Sequence, residues 1–138
     1  MTQLSEIMNR KVVTVDTHAS LRQAQRILDQ HNIRHLFVMD GKRLVGIVTD
    51  RDLRKAAPSS KSPLTASERE EFMDELKVVE VMSRKLIEAS PSTAVREAAK
   101  VMVREKIGCL PVVDGNALVG IVTEIDLLDI LVRGEGTP

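Results

Sequence analysis

The chain has 138 residues, 43% apolar and 1% aromatic, and its 20 basic and 20 acidic side chains cancel to a formal net charge of +0. That length supports one ordinary domain whose core needs no disulfide or metal. With no Trp or Tyr, only Phe37 and Phe72, and no net field, the composition argues against base stacking, attraction to DNA and binding to an anionic membrane.

The opening MTQLSEIMNR has no apolar signal core, and no apolar run reaches the ~18 residues of a membrane span. Cys109 is the single cysteine, so no internal disulfide can form and a reducing compartment is the default. A soluble, cytoplasmic protein is the expectation.

Residues 12–15 form a β-branched run, predicted as a strand. Asp16 and Ser20 offer helix-start chemistry, and Leu21, Ala24, Ile27 and Leu28 recur at helical spacing. Ile33, Arg34 and His35 lead into a strand over 36–39, Asp40-Gly41 signals a hairpin, and a second strand spans about 43–48. A helix over about 50–56 follows. Residues 58–63 (PSSKSP) are a loop by composition. Thr65 and Glu68 then stand at capping-box spacing ahead of Phe72, Met73 and Leu76, which predicts a linker helix. Phe72 is expected to pack on the module's own core, with an edge-covering role or an oligomer contact as the alternative.

From Val78 the first segment returns. Residues 4–54 align on 78–128 without a gap, and the string LVGIVT recurs unchanged at 44–49 and 118–123. Glu6-Ile7-Met8 faces Glu80-Val81-Met82, Asp40-Gly41 faces Asp114-Gly115, and Asp52-Leu53 faces Asp126-Leu127. Val95, Ala98, Val101 and Met102 repeat the helical spacing, and a last helix is predicted over about 124–132. The fold class expected is α/β (α+β): two β-α-β-β-α repeats, 4–57 and 78–133, joined by a linker at 58–77. Halves of about 50 residues are marginal alone, so they are expected to share one core about a pseudo-twofold, sheets packed together. The tail 133–138 is expected to fray.

The chemistry concentrates at two equivalent strand-to-helix corners, Thr49-Asp50-Arg51-Asp52 and Thr123-Glu124-Ile125-Asp126. Two readings stand. A hydroxyl and a carboxylate three residues apart make a capping box that serves only the helix. Alternatively, the helix start is an anion site, where the carboxylate accepts from a ribose diol and the hydroxyl donates to a phosphate. Gly46 and Gly120, inside strands, mark close backbone approach. Arg34, His35 and Arg51 make the first corner the more cationic; the second has Gly108, Cys109 and Ile125 at those places. Arg34 and His35 also read as a solvated surface pair. His18, His31 and His35 lack metal-ligand spacing, Cys109 reads as a buried small residue, and no phosphate-cradling loop, nucleophile elbow or acid/base pair occurs. The expectation is a binding protein without catalytic cofactor, not an enzyme.

The repeated opening, the strand Leu110-Pro111-Val112-Val113-Asp114 and the two Gly-x-Val-Thr-x-x-Asp segments together resemble the CBS domain. Two in tandem resemble a Bateman module over residues 4–132. Residues 49–54 and the linker are similar to the CBS portion of acetoin-utilisation-type regulators. The resemblance implies two clefts between the repeats that take AMP, ADP, ATP or S-adenosylmethionine. It places ribose on Asp52 and Asp126, and phosphate on Thr49 and Thr123. It also implies that each cleft borrows the opposite copy's first strand to read adenine. The cleft of Asp52 then uses Leu86 and Ile87, with Arg34 and His35 toward phosphate; that of Asp126 uses Val12, Val13 and Ile33. Phe37, where the second copy keeps Pro111, departs from the pattern and is expected to fill or reshape a cleft. A homodimer of modules is implied, with a regulated partner protein unidentified and no nucleic acid or membrane involved. The competing expectations are a ligand-free dimerisation scaffold and a subunit or relic of an enzyme such as IMP dehydrogenase.

Overall fold

The computed structural model describes residues 2–59 and 61–134. Ser60 of the expected loop and residues 135–138 of the expected fraying tail lie outside the described residues. The chain forms two compact units, a continuous one (Val13–Leu86) and a two-segment one (Met1–Val12 with Ile87–Pro138).

The continuous unit contains β1 (Thr14–Asp16), α1 (Leu21–His31), β2 (His35–Asp40), β3 (Arg43–Thr49), α2 (Asp50–Ala56), α3 (Ala66–Glu75) and α4 (Val78–Val81). Its sheet runs β1-β2-β3, with β1 parallel and β3 antiparallel to β2. Strand alternation sends Leu36, Val38 and Val48 into a core shared with Val15, Leu21, Ala24, Leu28, Leu53 and Val78. Ser20 and Gln23 close a capping box at the start of α1, and Asn32 ends it in the left-handed region at φ 52°. Gly41, at φ 62°, turns the β2–β3 hairpin as the Asp-Gly signal predicts.

The linker helix forms where the capping-box spacing places it, with Thr65 accepting from the Glu68 amide at 3.1 Å. Its packing differs from expectation. Met73 and Leu76 lie against the core, whereas Phe72 is 36% exposed and outside it. At 3.6 residues per turn the inward stripe passes through Arg69, Met73 and Leu76, which leaves Phe72 on the flank. Arg22 on α1 ties α3 down through Glu70 and Asp74, both at 3.1 Å.

The two-segment unit contains a 3-10 turn (Leu4–Glu6), α5 (Val95–Glu105), β4 (Cys109–Asp114), β5 (Ala117–Thr123) and α6 (Glu124–Arg133). Leu4, Met8, Ala98, Met102, Leu110, Val112 and Val122 form its core. β4 and β5 pair antiparallel with the same irregularity as β2 and β3, at Val112/Val113 and Val38/Met39 respectively. Arg133 closes α6 and Gly134 caps it at φ 79°, so the fraying expected from residue 133 does not begin there.

The two copies differ in one strand. Where β1 lies along β2, the second copy has only an isolated parallel bridge, Ala89 to Val112. The Ala89 amide donates to Pro111 O at 3.0 Å and the Val113 amide to Ala89 O at 2.8 Å. The next rung toward Ile87 would need an N–H at Pro111, which proline lacks. Phe37 stands at that position in the first copy and pairs with Thr14. Its ring is buried to 1% exposure yet belongs to neither core cluster, as strand alternation after Leu36 requires.

The repeated opening segments are exchanged between units. The backbone of Asn9 exchanges two hydrogen bonds with Ile121 (2.9 and 3.0 Å), and Ser83 does the same with Ile47 (2.8 and 3.0 Å). Each copy's opening thus completes the hairpin of the other copy's unit.

Candidate functional site

Each candidate corner arises where an apolar strand exits the core and must become a helix. At the first, Thr49 is extended (φ −114°, ψ 162°) and Asp50 begins α2. The Asp52 amide donates to Thr49 Oγ1 at 3.1 Å, and the Thr49 amide donates to Asp52 Oδ2 at 2.9 Å. At the second, the Thr123 amide donates to Asp126 Oδ2 at 2.8 Å, and the Thr123 hydroxyl donates to the same oxygen at 3.2 Å. The Asp126 amide reaches Thr123 Oγ1 only at 3.5 Å. The capping box is therefore formed at both corners.

The box uses one oxygen of each carboxylate. Asp52 Oδ1 and Asp126 Oδ1 have no hydrogen-bond partner among the described residues, and both side chains are half-buried. The Thr49 hydroxyl accepts one bond and has no acceptor for its own proton among the described residues. Among the described residues the first corner so keeps an unengaged hydroxyl donor and an unengaged carboxylate oxygen, whereas Thr123 spends its donor on Asp126. The helix start is less open than the sequence suggests. The Asp50 amide donates to Arg34 O at 3.0 Å and the Glu124 amide to Gly108 O at 3.1 Å.

Those backbone bonds bring Arg34 and Gly108 to their corners. His35 pairs with Thr49 across β2–β3, and Cys109 with Thr123 across β4–β5. Thr49, Asp52, Arg34 and His35 thus gather in the continuous unit, with Arg34 and Arg51 exposed and without ion pairs among the described residues. Ile33 packs on the core of that same unit, while Asp126 belongs to the other. Val12 and Val13, and likewise Leu86 and Ile87, are the residues at which the chain passes from one unit to the other.

Electrostatics separates the corners further. The first sets Arg34, His35 and Arg51 against Asp50 and Asp52, and Asp50 is engaged by Arg54 at 3.4 Å. The second offers Glu124 and Asp126 with a 71% exposed Ile125 and no cation at the equivalent places. Cys109 is buried. Burial, and then the negative charge of Glu124, push its thiol up to about 12, so it stays protonated.

The glycines have a packing cause. A β-carbon on Gly46 would lie 2.5 Å from Met82 Sδ and 2.8 Å from Ser83 O; one on Gly120 would lie 2.6 Å from Met8 Sδ and 3.2 Å from Asn9 O. The close approach read from the sequence is made by the exchanged opening segments. This use of Met8 and Met82 escaped the sequence reading, although their conserved spacing to the glycines within the repeat carried the signal. A groove of about 600 Å3 beside β1, lined by Thr14, Asp16, His18, Gln23 and Arg26 among others, includes neither Thr49 nor Asp52. No helix among the described residues is long and apolar enough to cross a membrane.

The CBS domain family profile matches residues 4–59 and 78–133. The chain belongs to the CBS domain family and carries the domain twice. A CBS domain-containing protein of Dictyostelium discoideum is 35% identical over 132 residues, 94% of this chain and 91% of that protein. A protein of Vibrio cholerae assigned to acetoin utilization (AcuB) has a crystal structure with a TM-score of 0.80 and 33% identity, covering 96% of this chain and 92% of that one. The likeness to the CBS portion of acetoin-utilisation-type regulators is therefore present in structure as well as sequence. The CBS domain pair of protein MJ0100, solved in complex with 5′-methylthioadenosine and S-adenosyl-L-methionine, has a TM-score of 0.81 at 29% identity, covering 98% of this chain and 99% of that one. Mixed helices and strands in two CBS repeats are the fold class the sequence predicts.

Proposed function

We propose that this CBS pair is a regulatory binding module for an adenosyl ligand, which it senses on behalf of a partner protein. The observation that carries the reading is the half-used carboxylate. Asp52 and Asp126 cap their helices with Oδ2, and Oδ1 of each has no partner among the described residues. A ribose diol needs such an acceptor, and a phosphate needs a donor and positive charge nearby. Arg34 and Arg51 supply that charge at the first corner, with His35 beside them, which makes it the site for AMP, ADP or ATP. The second corner suits an adenosyl compound without phosphate, such as S-adenosylmethionine. The complex of the MJ0100 CBS pair with two adenosyl compounds supports the ligand class. The backbone of Leu86 and Ile87, and of Val12 and Val13, is the proposed reader of the base.

A ligand that binds more tightly to one arrangement of the module shifts its population toward that arrangement, and a partner can read the shift. The test is a thermal-shift panel of AMP, ADP, ATP, S-adenosylmethionine and 5′-methylthioadenosine. At ~100 times Kd the stabilisation is roughly 2.7 kcal/mol, several degrees in a domain of this size.

A second reading, a scaffold without ligand, is favoured by one observation. The same capping box occurs at Ser20–Gln23 and Thr65–Glu68, where no ligand is expected. Exposed Ile125, Leu128, Leu131 and Val132 on α6 support self-association under either reading.

A further inference from the structure

The two copies present the backbone of equivalent residues, Val13 and Ile87, in different states. In the continuous unit the Thr17 amide donates to Met39 O at 3.2 Å. Because β1 runs parallel to β2 with Thr14 opposite Phe37, the preceding rung joins the Val15 amide to Phe37 O and the Phe37 amide to Val13 O. The Val13 carbonyl is thereby engaged, and Phe37, at 1% exposure, holds its amide in place.

In the two-segment unit the ladder stops one rung short. The Ala89 amide donates to Pro111 O at 3.0 Å and the Val113 amide to Ala89 O at 2.8 Å. Pro111 has no N–H for the Ile87 carbonyl. Neither the amide nor the carbonyl of Ile87 has a hydrogen-bond partner among the described residues. The Ile87 side chain packs on its unit's core, as Val13 packs on the other. The residue is thus anchored and half-buried while its donor and its acceptor stay open. On an extended strand the N–H and C=O of one residue project toward the same side. Water or a ligand must supply their partners.

A donor beside an acceptor complements the edge of adenine, where N1 accepts and the 6-amino group donates. A 6-oxo purine presents N1–H and O6, the reverse order, so donor meets donor and acceptor meets acceptor. At Val13 the Phe37 amide already takes the carbonyl, and half of the pattern is missing.

We infer that Ile87, left open by Pro111, selects 6-amino over 6-oxo purines, and that Phe37 removes this selectivity from the equivalent strand at Val13. The inference rests on the adenosyl reading proposed above and says which of its two base readers discriminates. Pro111 and Phe37 are positioning residues, since they act through the backbone of Ile87 and Val13.

The test compares AMP with IMP on the isotope-labelled full chain, by calorimetry and by amide hydrogen exchange in NMR. The two nucleotides differ only on the purine ring, so ribose and phosphate contacts cancel. AMP is expected to bind about tenfold or more tightly than IMP where Ile87 responds, and to slow exchange of the Ile87 amide, which IMP leaves fast. The Val13 amide is expected to treat the two alike. Pro111→Ala and Pro111→Val both restore the N–H and are expected to lose the AMP preference together, with IMP affinity kept; a role in packing alone would separate these variants by size. Equal affinity of the parent for AMP and IMP, an Ile87 amide indifferent to AMP, or a preference unchanged in both variants overturns the inference and leaves the adenosyl reading standing. Binding of neither nucleotide overturns that reading and the inference with it.

Discussion

Gly46 lies against Met82 so closely that a β-carbon on the glycine would come within 2.5 Å of the methionine sulfur and 2.8 Å of the Ser83 carbonyl oxygen. The equivalent pair is Gly120 and Met8, where the sulfur lies 2.6 Å away and the nearest backbone oxygen 3.2 Å. A thioether can swing aside; a carbonyl bonded into the hairpin cannot. Gly46→Ala is therefore expected to destabilise by about 1–3 kcal/mol and Gly120→Ala by less. Urea denaturation of both variants, repeated in Met82→Ala and Met8→Ala backgrounds, measures the coupling. The Met8 truncation should remove most of the Gly120→Ala penalty, while the Met82 truncation leaves part of the other.

The capping role of Asp52 and its proposed ligand role are separable, because the cap uses only Oδ2. Asp52→Asn keeps an acceptor for the Thr49 amide and replaces the second oxygen by an NH2 donor. Its unfolding free energy should stay within about 0.5 kcal/mol of the parent, whereas Asp52→Ala loses about 1 kcal/mol. If the ribose reading is right, both variants lose adenosyl affinity alike. Loss of stability without loss of affinity in Asp52→Ala would favour the scaffold.

Charge asymmetry between the corners predicts a phosphate preference at one of them. Arg34→Ala and Arg51→Ala should weaken ATP and AMP by about tenfold each and leave 5′-methylthioadenosine near its parent affinity. Titration calorimetry at two salt concentrations reads both effects, since the phosphate term is screened and the adenosine term is not.

Cys109 gives a pH prediction whose sign follows from its burial. The folded thiol is raised to about 12 from 9.0, so above pH 9 the unfolded chain ionises first. The thiol's contribution to stability is complete below pH 9 and is lost progressively between 9 and 12. Iodoacetamide at pH 8 should leave the folded protein unlabelled and modify it in urea; prompt labelling without denaturant contradicts the burial.

Much of the fold was legible because the repeat printed it twice. The Asp-Gly hairpins, the Ser20 and Thr65 helix starts and the helical stripe of Leu21, Ala24 and Leu28 are local signals that the packing left intact. What was not legible depended on partners distant in sequence. The close approach marked by Gly120 was legible, but that Met8 is what approaches was not, because the two lie far apart in the chain. The lost strand of the second copy turns on the missing N–H of Pro111, visible as a letter yet meaningless until the neighbouring rung was known. Phe72 misled because its size outweighed its phase on the helix. At the corners the residue types were evident, but which carboxylate oxygen remained unused required the coordinates.

The most direct measurement is isothermal titration of the full chain with each adenosyl compound, in the parent and in Asp52→Asn, Asp126→Asn and the double variant. Saturable binding is expected in the parent, weakened about tenfold or more at the altered corner and abolished in the double variant. No heat with any adenosyl compound, or an isotherm unchanged in the double variant, would contradict the assignment of ribose to these two carboxylates.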